Sequence, residues 1–76
     1  MTPDQLRQAL KELTGERDAT FGITGMPDAG ATLTIHKALL IPDEPDHLIK
    51  LTDGASIYII ESPRVAWIRI ALKKVH

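Results

Sequence analysis

HLIKLTDGASIYIIESPRVAWIRIAL, residues 47–72, decides the fold. Three short apolar runs are divided by two breaks. Asp53-Gly54 between apolar runs predicts a two-residue hairpin, because a type I′ turn requires positive φ at both central residues. Ser62-Pro63 breaks or bends the chain a second time. The runs therefore read as strands over 47–52, 55–61 and 64–72. Ile57, Ile59 and Ile60 with Tyr58 make the middle strand apolar on both faces. In the last strand Ala66, Ile68, Ile70 and Leu72 share one face, with Val65, Trp67 and Ala71 on the other. Arg69 is the one charge inside it.

Upstream, PDEPD over 42–46 reads as a loop, since two prolines do not both fit a ladder. ATLTIHKALLI, residues 31–41, is a longer strand with Leu33 and Ile35 on one face. Lys37 interrupts that face before Leu39 and Ile41 resume it, so a bulge or bend is expected near His36-Lys37. Residues 18–24 alternate Ala19, Phe21 and Ile23 with Thr20, Gly22 and Thr24, as a half-buried strand does. Residues 25–30, GMPDAG, read as the loop between these two strands.

Before the strands comes one helix, predicted over 2–14. Thr2 is its N-cap, Pro3 occupies the first position, and Gln5 completes a Thr-x-x-Gln capping box. Leu6, Ala9, Leu10 and Leu13 form one apolar stripe. Gly15 stands where a C′ glycine would stop it. The fold class is α+β: an N-terminal helix, then a strongly bent five-stranded antiparallel sheet or a small barrel.

Size and composition limit what such a chain does. Its 76 residues form one domain with a thin core. No cysteine is present, so neither a disulfide nor a thiolate-bound zinc reinforces it. The 43% hydrophobic content argues against disorder. A net charge of −1 argues against a strong nonspecific polyanion binder. No stretch reaches membrane-spanning length. Met1-Thr2-Pro3-Asp4 has neither the basic nor the apolar part of a signal peptide, which makes the cytoplasm the expected compartment. One helix covers only part of one sheet face. Ile57, Ile59, Val65 and Trp67 are therefore expected at an interface, and the chain is expected to be a homo-oligomer or to meet a protein partner.

Candidate chemistry is sparse. His36, Asp43, Glu44, Asp46 and His47 are ligand types for zinc, manganese or nickel, but their spacing follows no metal motif, and a solvated acidic loop is the plainer reading. His76 stands alone at the end. Ser56 and Ser62 sit at a turn and a break rather than in a nucleophile elbow. GITGMPDAG lacks the residues of a phosphate loop. No cofactor and no catalysis are expected. Arg64, Arg69, Lys73 and Lys74, with Trp67 and Tyr58 available for stacking, make a C-terminal basic patch that single-stranded RNA could use.

The capped helix ahead of all strands, the strand-turn DATFGITG (18–25) and the pair of strands around a break in IYIIESPRVAWIRI (57–70) together resemble the Sm-like small β-barrel family. That resemblance implies a five-stranded bent barrel and a ring built by edge-strand pairing. It does not carry over an RNA site: near the break the Hfq-like members of the family show a Tyr-Lys-His type motif, and this chain reads Tyr58-Ile59-Ile60-Glu61. An SH3-like barrel fits the same element order.

Overall fold

The computed structural model describes residues 1–25 and 31–73. Helix α1 spans Pro3–Leu10 and is followed by β1 (Thr14–Ile23), β2 (Thr32–Leu40), β3 (Ile49–Thr52), β4 (Ile57–Ile60), a 3₁₀ turn (Ser62–Arg64) and β5 (Val65–Ile70). All pairings are antiparallel, and the strands stand in the order β4-β3-β2-β1-β5. The sheet is not closed among the described residues, and β4 and β5 are its edges. This is the α+β arrangement expected from the sequence. No helix among the described residues is long and apolar enough to cross a membrane.

The capping box forms as read. Thr2 Oγ1 accepts the Gln5 N–H at 3.2 Å, and Gln5 Oε1 accepts the Thr2 N–H at 3.2 Å. The helix stops earlier than the predicted residue 14, because the Leu13 N–H turns back to the Leu10 carbonyl at 3.0 Å and Thr14 already pairs with Leu39. Gly15 is therefore not a helix stop. It lies inside β1 at φ 92°, where β1 advances from Thr14 to Arg17 while β2 moves only from Leu39 to Ala38. Leu6 and Leu10 of the helix, with Leu13, are buried in one cluster with Phe21, Ile35 and Leu51 of the sheet.

The expected bulge is present at Lys37. β2 uses three steps from Ala38 to Ile35 against two from Arg17 to Ala19, and Lys37 takes φ 50°. An unpartnered residue inverts which neighbours face inward. Ile35 is buried before the bulge and Ala38 after it, so Leu39 points outward instead of resuming the core face. Asp18 of β1 clasps the bulge: one carboxylate oxygen accepts the Lys37 N–H at 2.9 Å and the other faces His36 Nδ1 at 3.2 Å. The Lys37 amide, and then the His36 ring, hold the Asp18 carboxyl below the usual carboxylate range.

A second bulge shapes β5. Gly22 pairs with Trp67 but Ile23 with Val65, leaving Ala66 over. Val65, expected at an interface, is 3% exposed and belongs to the core, because the extra residue puts it in phase with the inward Ile68 and Ile70. Four strands are shorter than read, β2 at Thr32–Leu40, β3 at Ile49–Thr52, β4 at Ile57–Ile60 and β5 at Val65–Ile70, whereas β1 begins at Thr14 instead of residue 18 because the helix ends early. The Asp53-Gly54 hairpin is a four-residue connection, since Thr52 pairs with Ile57. Residues 26–30 of the expected GMPDAG loop lie outside the described residues, as do Lys74 and His76.

Candidate functional site

The connection between β3 and β4 is organised by Asp53. Its carboxylate accepts the Ala55 and Ser56 N–H groups, each at 2.8 Å, and the Tyr58 hydroxyl at 3.1 Å. Those donors lower the Asp53 pKa, the two amides first, and the bond to Asp53 raises that of the Tyr58 phenol. Thr52 Oγ1 donates to the Ser56 carbonyl at 2.7 Å and accepts the Gly54 N–H at 3.0 Å. Such side chain-to-backbone bonds stabilise a longer connection at the expense of the two-residue turn. With Tyr58 and Ile60 directed inward, strand alternation sends Ile57 and Ile59 outward. They are 63% and 58% exposed, on an edge strand whose described residues carry no charge.

These isoleucines extend an apolar row. Leu39 stands opposite Thr52, and Thr52 opposite Ile57; Lys50 stands opposite Ile59. Two hollows meet at Ile59. One of about 400 Å³ is lined by Leu48, Ile49, Ile59 and Pro63 among others. The other, of about 300 Å³, is lined by Ile23, Leu33, Ile59 and Arg64 among others. Comparison with known proteins finds no family model that matches the chain, no similar curated protein and no similar solved structure.

The acidic loop is taken up by internal ion pairs. Lys50 Nζ reaches Asp46 at 2.7 Å and Glu44 at 2.9 Å, with its side chain only 16% exposed. Lys50, and then the Leu48 N–H, lower the Asp46 pKa; Asp46, and then Glu44, raise that of Lys50. Arg7 crosses from α1 to place its guanidinium 3.4 Å from Asp43 and to donate to the Ile41 and Leu48 carbonyls at 3.3 and 3.0 Å. His47 Nδ1 lies 3.3 Å from Asp43, whereas His36 faces Asp18 at the bulge. The five candidate ligands are thus divided between two places, and no group of three or more His, Asp or Glu side chains gathers for a metal among the described residues. Nothing in the sequence marks this pairing, because i, i+4 spacing brings side chains together on a helix and residues 46–50 run from a turn into β3.

The C-terminal basic residues are dispersed as well. Arg64 pairs with Glu61 at 2.9 Å, while its carbonyl accepts the Thr24 N–H at 2.8 Å. Arg69 reaches Thr20 Oγ1 at 3.5 Å on the outer face, where Thr20 and Thr34 hydroxyls meet at 3.1 Å. Trp67 is 44% exposed and lies across Gly22; a Cβ at Gly22 would overlap the indole, so the pairing depends on glycine. Lys73 follows β5 and is exposed.

Proposed function

We propose that this chain is a noncatalytic assembly module that associates with itself through its sheet. One observation carries the reading: the sheet ends on β4, an uncharged edge strand that presents Ile57 and Ile59 outward. Unpaired N–H and C=O groups beside exposed β-branched side chains are a template for strand addition. Proteins that remain monomeric blunt such an edge with charge, proline, a bulge or a very short strand; β4 is four residues long but carries no charge, proline or bulge. The Sm-like resemblance is supported by the strand order β4-β3-β2-β1-β5 behind a capped helix and by the 3₁₀ turn between the last two strands.

The test is solution mass by light scattering at low and high salt, with and without EDTA. The expected result is a multiple of the chain mass that neither salt nor chelator reduces, because apolar contacts and strand pairing are weakly screened. A monomer at every concentration up to the millimolar range overturns the reading.

A further inference from the structure

We infer that β4 pairs with β4 of a second copy, antiparallel, about a two-fold axis beside Tyr58. The inference rests on the assembly reading above and specifies which surface meets which. A two-fold axis normal to an antiparallel sheet sets one residue opposite itself and sets its preceding neighbour opposite its following one. Centred on Tyr58, it brings Ile57 opposite the partner's Ile59 and Ile59 opposite the partner's Ile57. Directly opposed residues share a sheet face, so the four outward isoleucines form a single cluster. Other centres waste them. Centring on Ile59 places Ile57 against Glu61, and centring on Ile57 places Ile59 against Ala55.

Charge agrees with the Tyr58 centre. Glu61 falls toward the partner's Ala55 and Asp53 toward the partner's Pro63, so neither carboxylate meets another. The surface also continues across the join. The row Leu39, Thr52, Ile57 runs on into the partner's Ile59 and the aliphatic stem of the partner's Lys50, whose side chain is mostly covered. The opposite edge is less suited to strand addition: β5 carries Arg69 and is bulged at Ala66, both of which interrupt a regular ladder.

The experiment uses the full chain and sedimentation equilibrium. The wild type is expected at the mass of two chains. Ile57→Lys and Ile59→Glu, each alone, should weaken the dimer at least about tenfold by setting a charge against isoleucine. Mixing the two single variants should restore a dimer, because the new lysine then faces the new glutamate while the remaining isoleucines face each other. Tyr58→Cys should form an intermolecular disulfide, since the axis sets that position opposite itself, and this arm remains readable if the charged variants fail to fold. A ring of three or more chains overturns the two-fold pairing and leaves the assembly reading standing; a monomer overturns both. A dimer that the single substitutions do not weaken, no rescue on mixing, or no Tyr58→Cys cross-link overturns the pairing.

Discussion

At the scale of single residues, Asp18 holds the β2 bulge in place. Its carboxylate holds a lysine in the left-handed region, which disfavours L-residues by about 1–2 kcal/mol. Asp18 titrates below its ordinary value of about 3.9 in the folded chain. Its contribution to stability is therefore complete above about pH 4 and is lost as pH falls through the lower, folded value. Asp18→Asn should lower the thermal midpoint at pH 7, and the midpoints of the two proteins should converge in acid. Thermal unfolding followed from pH 2 to 7 checks this; a constant difference across that range would count against the clasp. The bulge itself was legible, from a lysine interrupting an apolar face. Asp18 was not, because its partners are 18 and 19 residues away in the chain.

At the scale of elements, local signals read well and phase read poorly. The capping box lies within four residues, and the PDEPD loop announces itself by composition. Bulges at Lys37 and Ala66 leave composition unchanged while reversing which positions face the core, so Leu39 and Val65 each stand on the side opposite to the one that simple alternation predicts. In the same way the composition of the acidic loop marks it as polar, but its union with Arg7 depends on where the helix packs. The phase reversal predicts an asymmetry between neighbours. Ala38→Glu buries an uncompensated charge and should cost more than about 3 kcal/mol, whereas Leu39→Thr, at a half-covered position, should cost about 1 kcal/mol or less. Urea denaturation of the two variants decides it, and equal losses would refute the inward turn of Ala38.

At the scale of the whole molecule, a thin core and an uncharged edge point the same way. If folding and association are linked, dilution weakens both. The thermal midpoint should therefore rise by several degrees between micromolar and near-millimolar chain concentration, as scanning calorimetry would record. A midpoint independent of concentration would argue for a protomer stable by itself. The pairing of β1 with β5 has a further consequence, for the order in which the molecule is made. Ala19 pairs with Ile70 and Phe21 with Ile68, so one side of the longest strand stays uncovered until almost all of these residues have left the ribosome. The rest of the meander forms from neighbours in sequence, but this last pairing closes a loop that encloses it. Such a closure sets a slow step. Until β5 pairs, the sheet is open at two edges, β1 and β4; once it has paired, the open edges are β4 and β5.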